Sequence, residues 1–274
     1  MRRVALTIAG VDPSGGAGIA ADLRGFAAAG VWGAAAPSLL TVQTTDGLVS
    51  VHPLDASLVV AQARAVLEVE DVRALKTGAL GSREIVDAVT ELTRSRPRLP
   101  LVVDPVMVAT RSPSGARLAD PSALVAQRAL VGRATVVTPN VDEAEALLER
   151  RITTREAQRA AALELVRALG AKAALVKGGH LPGPRAVDVL ATSRGVVELS
   201  SSRRAAIALH GGGCTLAAMI AGRLALGAST LDAARWAKRR LAFSIRRAAR
   251  TGGRLFVVDP ALPRVSRTPT YRRS

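Results

Sequence analysis

The stretch His210-Gly211-Gly212-Gly213-Cys214-Thr215-Leu216 places a run of glycines at the start of a segment with helical periodicity. The first turn of a helix carries unpaired N–H groups and the positive end of the dipole, and glycines keep side chains out of an anion's way. Gly211, Gly212 and Gly213 are therefore expected to form an anion hole. In phosphoryl transfer the charge lies on the equatorial oxygens of the migrating group, which such donors stabilise. Cys214, the only cysteine in the chain, follows directly. Its place at a helix start predicts a lowered thiol pKa, which would let it accept or relay a proton from an alcohol. The competing reading is a small buried filler beneath a glycine turn.

Further charged residues stand where apolar runs end, the place at which open α/β sheets gather ligands. Val102-Val103-Asp104-Pro105-Val106-Met107 ends a run in a carboxylate, and Thr138-Pro139-Asn140-Val141-Asp142-Glu143 opens a helix after the next one. Asp104 and Glu143 are candidate acids for Mg²⁺, which takes one or two carboxylates and shares the substrate phosphates. Asn140 reads equally as a helix cap, and Asp104 before Pro105 as a turn residue. Val176-Lys177-Gly178-Gly179-His180 ends a run with a cation and two glycines, which suits a nucleotide phosphate. Gly10-Val11-Asp12-Pro13-Ser14-Gly15-Gly16-Ala17-Gly18 lets the backbone approach a ligand. It has neither the dinucleotide fingerprint nor the Gly-Lys-Ser/Thr of a P-loop, and a tight turn without a ligand stays open as its reading.

These residues must be positioned by strands and helices that the patterning locates. Strand-like runs, most without polar alternation, occur at 4–9, 36–43, 73–77, 100–104, 134–138 and 172–177, as expected of parallel strands buried on both faces. Helical periodicity fills the intervals at 18–29, 56–69, 83–95, 121–130 and 155–169. Residues 185–202 read as an antiparallel hairpin turning at Arg194-Gly195. Two helices follow, at about 214–226 and 229–250, with Ser229 or Thr230 as the second one's cap. The sum is an α/β three-layer fold.

Composition agrees. Of 274 residues 49% are hydrophobic and only 2% aromatic, so the core is built from small aliphatic layers. One cysteine excludes an intrachain disulfide framework and a cysteine zinc cluster. The N-terminal apolar run is too short for a signal peptide or a membrane span, so a cytoplasmic protein without membrane contact is expected. The net charge of +16 is concentrated from Arg235 onward, where twelve Lys/Arg oppose the lone Asp259. An arginine-rich solvated face explains this, and the scarcity of aromatic stacking positions argues against a nucleic-acid partner. Residues 1–254 are expected to form the folded domain and 255–274 a disordered Arg/Pro-rich tail.

Taken in order, these pieces resemble the hydroxymethylpyrimidine/phosphomethylpyrimidine kinase family of thiamine biosynthesis from about residue 4 to about residue 250. The stretches that carry the resemblance are Ala5-Leu6-Thr7-Ile8-Ala9-Gly10 through Ala21-Asp22-Leu23, Gln43 after Thr41-Val42, Lys76-Thr77-Gly78-Ala79-Leu80, and Asp104-Pro105-Val106-Met107-Val108-Ala109. Thr138-Pro139-Asn140-x-x-Glu143-Ala144, Lys177-Gly178-Gly179-His180 and His210-Gly211-x-Gly213-Cys214-Thr215-Leu216 complete it. The resemblance implies a ribokinase-like three-layer α/β/α sandwich with a mostly parallel central sheet, using ATP and Mg²⁺ on a small-molecule alcohol. It implies that Gln43 and Asp22 hydrogen-bond the heterocycle in a pocket lined by Gly10, Ala17, Val42 and Val106. Cys214 would be the catalytic residue beside an anion hole of Gly211 to Gly213, Asp104 and Glu143 would serve Mg²⁺, and Asn140 and Lys177 would serve ATP. A homodimer is expected.

The sequence departs from the family pattern at four places. Gly212 replaces a Thr in the anion-hole motif, and Ala20 replaces a Gln before Ala21-Asp22-Leu23. Arg111-Ser112-Pro113 are inserted before Ser114-Gly115, in a loop placed to cover the site. The family's usual C-terminal ending is replaced by Leu255 to Ser274. Two alternatives therefore accompany the pyrimidine kinase: a pyridoxal/pyridoxine-type vitamin kinase, which the small Ala79 would accommodate, and a catalytically silent pyrimidine-binding member.

Overall fold

Apolar runs without alternation become strands buried on both faces, and the intervening segments become helices that cover them. A computed structural model describes residues 1–109, 111–179, 181–204 and 207–261. β1 (Val4–Val11) leads into α1 (Gly18–Ala29), and the long β2 (Trp32–Thr44) turns back as β3 (Gly47–Pro53). Helix and strand then alternate through α2 (Ala56–Val69), β4 (Val72–Thr77), α3 (Arg83–Arg94), β5 (Leu101–Val103), α4 (Pro121–Val131) and β6 (Val136–Val137). α5 (Val141–Leu148), α6 (Arg155–Arg167), β7 (Ala173–Val176), β8 (Arg185–Thr192) and β9 (Gly195–Ser202) follow. The chain continues through β10 (Leu209–His210), α7 (Gly212–Ala225), α8 (Thr230–Arg246) and β11 (Phe256–Val257).

Nine strands form one sheet in the order β3-β2-β1-β4-β5-β6-β7-β8-β9. The pairings from β2 through β7 are parallel, while β3, β8 and β9 pair antiparallel at the two edges. Crossover helices lie on both faces, as parallel connections require. One layer packs Val59, Ile85, Val89, Leu130 and Leu165 against Leu6, Ile8 and Val103. The other packs Phe26 and the Leu216–Ala225 run against Ala5, Ala74 and Val102. In that second layer α1 and α7 come very close, since a Cβ on Gly25 would lie 2.7 Å from the Ala218 Cβ and one on Gly222 would lie 2.6 Å from the Ala29 Cβ. Small residues thus fix the direction of α7 and of the glycines at its head.

Two expectations need correction. β2 is longer than the apolar run suggests, and β3 makes a second edge hairpin that hydrophobic patterning does not reveal. The boundary expected after residue 254 falls inside packed structure: Leu255 and Val258 are buried, and β11 pairs in parallel with β10. Residues 262–274 of the expected tail lie outside the described residues. No described helix is long and apolar enough to cross a membrane.

Candidate active site

Side chains cap the starts of α2, α3, α4, α5, α6 and α8, whereas α1 and α7, the two helices preceded by glycine-rich turns, have no side-chain cap. A helix start without a cap keeps its N–H groups available to a ligand. At α7 the cap residue is Gly211 with φ +73°, and a Cβ there would lie 1.9 Å from the Gly16 carbonyl oxygen. The two glycine-rich stretches therefore touch, and neither tolerates a side chain at the contact. Between them lies a pair that the sequence reading passes over. His210 Nε2 is 2.7 Å from Asp12 Oδ2, the same oxygen that accepts from the Ala17 N–H at 2.8 Å. Asp12 Oδ1 accepts from the Ser14 backbone N–H and hydroxyl. Burial alone would raise the Asp12 pKa, but the hydrogen bonds with His210 and Ser14 outweigh it and hold the carboxyl at about 2. Asp12 thus ties the start of α1 to the strand that feeds α7.

The head of α7 faces charged residues from three strand ends. Lys76, near the end of β4, donates to Asp22 Oδ2 at 2.8 Å, and Thr7 donates to the same oxygen at 2.6 Å. Both partners of this ion pair are fully buried. Burial disfavours the ammonium, but Asp22, Cys214 and Asp104 together outweigh it, so Lys76 is held protonated. Asp22, expected at the heterocycle, is fully buried and pairs with Lys76 and Thr7 through Oδ2, while its Oδ1 has no partner. Lys76 is a buried cation facing the head of α7 that the sequence marks only by a charge at the end of an apolar strand.

Asp104, just beyond β5, accepts from Lys177 Nζ at 2.9 Å and from the Thr138 hydroxyl at 3.2 Å. Lys177 Nζ also lies 3.6 Å from Glu143 Oε2, and a Cβ on Gly213 would lie 3.0 Å from that ammonium. Lys177 thus stands between the two acids and the glycine turn. Asn140 and Glu143 form a capping box: Asn140 Oδ1 accepts from the Glu143 N–H at 2.8 Å, and Glu143 Oε2 accepts from the Asn140 N–H at 2.7 Å. The cap reading and the phosphate-side reading of these residues are therefore compatible. Among the described residues no group of three or more His, Cys, Asp or Glu could hold a metal ion. A Mg²⁺ here would need phosphate and water oxygens beside Asp104 and Glu143. The buried Asp104 Oδ2, which has no partner, fits such a cation.

Glu143 is pushed up to about 7, by burial first, with Lys177 opposing and Asp104 adding to the rise. A folded-state pKa above the ordinary 4.5 means that the stability from this group is complete below pH 4.5 and declines as pH rises through about 7. In Glu143→Gln the capping box is retained and the titration is lost. The variant should therefore gain stability relative to the unsubstituted protein between pH 5 and pH 8. Urea melts at the two pH values measure this, and parallel pH curves would refute it.

Cys214 needs correction. A helix start argues for an acidic thiol, but burial dominates and pushes the pKa up to about 12. Lys76 and Lys177 lower it, Asp104 and Asp22 raise it, and the charges largely offset one another. The side chain keeps some exposed surface, so what the site imposes is the direction, a thiol less acidic than an ordinary one.

On the other side of the Asp12–His210 pair, the Gln43 amide lies 3.3 Å from His210 Nε2 and is buried. Leu39, Leu48, Ala79 and Leu118, with Val106 packed on them, form a small apolar cluster. Gly10 abuts it, since a Cβ there would lie 2.6 Å from Leu39 Cδ1 and 3.8 Å from the Ala79 Cβ. Gln43, Gly10 and Val106 thus converge on one wall, with Ala17 at the head of α1. Val42 is 52% exposed, beside a bulge that separates it from Gln43. Gly212 differs from its neighbours because the nearest atom to a Cβ there is Leu209 at 3.9 Å. Gly212→Thr should be tolerated and raise stability by about 0.5–1 kcal/mol, by removing a glycine from a helix end. Calorimetry with kcat measures this, and a lowered Tm would show that the turn needs its freedom.

Residues 12–259 match the family described as phosphomethylpyrimidine kinase. The chain is 43% identical over 240 residues to the hydroxymethylpyrimidine/phosphomethylpyrimidine kinase of Rhizobium meliloti, covering 87% of this chain and 88% of that one. Among solved structures it is similar to the Clostridium difficile phosphomethylpyrimidine kinase (35% identity, TM-score 0.76, 89% and 100% coverage). It is also similar to an ADP complex of Bacillus subtilis pyridoxal kinase (30% identity, TM-score 0.86, 95% and 98% coverage). With a matched region that takes in both glycine turns and all three charged strand ends, the chain belongs to the phosphomethylpyrimidine kinase family and has its ribokinase-like fold.

Proposed function

We propose that the protein is a cytoplasmic Mg·ATP-dependent kinase that phosphorylates 4-amino-5-hydroxymethyl-2-methylpyrimidine, and then its monophosphate, in thiamine biosynthesis. The observation that carries the proposal is the uncapped head of α7 facing Lys76, Lys177 and Asp104 from strand ends and Glu143 from the first turn of α5. Gln43 pairs with the polar edge of the heterocycle, and Gly10, Ala17, Val42 and Val106 line the pocket. The hydroxymethyl group then points to Cys214, and the N–H groups of Gly211, Gly212 and Gly213 receive the migrating phosphoryl oxygens. Lys177 leaves the two acids for the phosphates as nucleotide enters, with Asn140 beside it. Asp104 and Glu143 would hold Mg²⁺, which would neutralise charge on the phosphates. Positioning and electrostatics supply most of the rate, since a loose phosphoryl-transfer transition state asks little of a base.

A pyridoxal-type substrate is the second reading, supported by the small Ala79 at the apolar wall. We also propose a homodimer, which the exposed Leu40 and Val49 on the β2–β3 edge suit. The deciding experiment is ATP-dependent phosphorylation of the hydroxymethylpyrimidine and of pyridoxal in parallel, with mass spectrometry of the products. A pyrimidine diphosphate supports the proposal and exclusive pyridoxal phosphorylation overturns it. Thermal stabilisation by the pyrimidine without turnover would identify a silent binder instead.

A further inference from the structure

Two of the places where the sequence departs from the family pattern, residues 111–113 and the segment after 254, converge on one feature: the tip of the β2–β3 hairpin, which immediately follows Gln43. From one side the Leu48 N–H donates to the Arg111 carbonyl at 3.0 Å, and Arg111 Nε donates to the Asp46 carbonyl at 2.7 Å. The Ser114 hydroxyl reaches the Leu48 and Val49 carbonyls at 3.1 and 2.9 Å. Gly47, at φ +144°, lets the loop close in, because a Cβ there would lie 2.5 Å from Pro113 Cδ.

From the other side the Gly253 N–H donates to Thr45 Oγ1 at 3.1 Å, the Arg254 N–H to Asp46 Oδ1 at 2.8 Å and the Leu255 N–H to the Thr45 carbonyl at 3.0 Å. The same segment continues into β11, whose Val257 pairs with His210 and would lie 3.1 Å from a Cβ on Gly16. One C-terminal segment therefore grips the hairpin tip and the strand that leads to the anion hole.

We propose that residues 111–114 and 253–257 form a two-sided latch that holds the hairpin tip over the substrate pocket, with Thr45, Asp46, Arg111 and Ser114 as positioning residues for Gln43. The proposal rests on the reading that Gln43 faces the heterocycle. Backbone-directed hydrogen bonds make the latch, and its one ion pair, Arg254 Nε to Asp46 Oδ1, is long at 3.9 Å and largely exposed. Salt should therefore leave it shut. A held tip fixes the pocket wall before substrate arrives, so less ordering is left for the substrate to impose.

The test compares full-length protein with Arg111→Ala/Ser114→Ala, which frees the loop side, and Thr45→Val/Asp46→Ala, which frees the C-terminal side. Amide exchange of residues 45–49 should accelerate at least about tenfold in each double variant, and Kd for the hydroxymethylpyrimidine should rise about tenfold, with ATP affinity changed less than about twofold. KM for the pyrimidine should rise more than kcat falls. Exchange unchanged in both variants, or an equal loss of ATP affinity, would overturn the latch. Removal of 262–274 should change neither readout, and loss of protection on that truncation would overturn the assignment to 253–257. Accelerated exchange in the variants, with no pyrimidine binding by the unsubstituted protein, would overturn the substrate reading and leave the latch standing.

Discussion

Gly211→Ala should lower kcat/KM by at least about 10²–10³-fold, the loss expected when an anion hole is deprived of a donor. At φ +73° an alanine costs about 1–2 kcal/mol in backbone strain. Its Cβ would also meet the Gly16 carbonyl oxygen at 1.9 Å, backbone against backbone, with no flexible side chain to give way. One of the two turns must move. If the α7 head moves, the N–H groups of Gly212 and Gly213 lose their aim. If the α1 turn moves, the Asp12 contacts with His210 and Ala17 stretch instead. Either way the site is damaged, and Tm should fall as well. Steady-state kinetics with calorimetry reads both effects. Turnover within tenfold of the unsubstituted protein would show that these N–H groups do not carry the reaction. The neighbouring Gly212→Thr is the control within the same turn, because the space around it is open.

The parallel core was legible because a strand buried on both faces has no alternation to confuse it with a surface helix. β5, β6 and β7 are entirely Val, Ala and Leu, β1 adds Thr7, Ile8 and Gly10, and β4 keeps an apolar centre between Arg73 and Lys76. β3 was not legible by that rule. It pairs antiparallel at an edge and buries only its first two residues, Gly47 and Leu48, so it presents neither a continuous apolar run nor clean alternation. The Asp46-Gly47 pair is the signal that could have located it, since such pairs turn hairpins. β11 escaped for a related reason: two residues held by backbone pairing leave almost no pattern.

At the site, the charges at strand ends were readable, because the sheet's carboxyl edge is where an apolar run stops and a ligand begins. Asp104 and Lys177 follow that rule, and Lys76 obeys it too. Other features depend on where remote parts of the chain meet. Asp12 and His210 are 198 residues apart, and nothing in either local sequence names the other. Asp22 enters only through the family resemblance, and its pairing with Lys76, 54 residues away, could not be read from either local sequence. The Cys214 thiol was misjudged because the helix-start argument counts one favourable dipole and omits the burial that outweighs it.

That misjudgement gives Cys214→Ala its content. The substitution should lower kcat by about 10²-fold, the loss expected when the reacting hydroxyl is no longer positioned, while ATP affinity stays within about twofold. A thiol at about 12 is protonated throughout the working range. It can position the hydroxymethyl oxygen at the head of α7, but being already protonated it cannot take up the alcohol's proton, which would pass to an oxygen of the arriving phosphoryl group. The kcat profile from pH 6 to pH 9 should therefore show no rising limb that the substitution abolishes, and iodoacetamide should alkylate the residue far more slowly than a free cysteine. A limb with an apparent pKa below 9 that disappears in Cys214→Ala would mean that bound substrate draws the thiol down into its working range. An unchanged kcat would reduce Cys214 to packing, and the rate would then rest on the glycine turn and the two lysines that flank it.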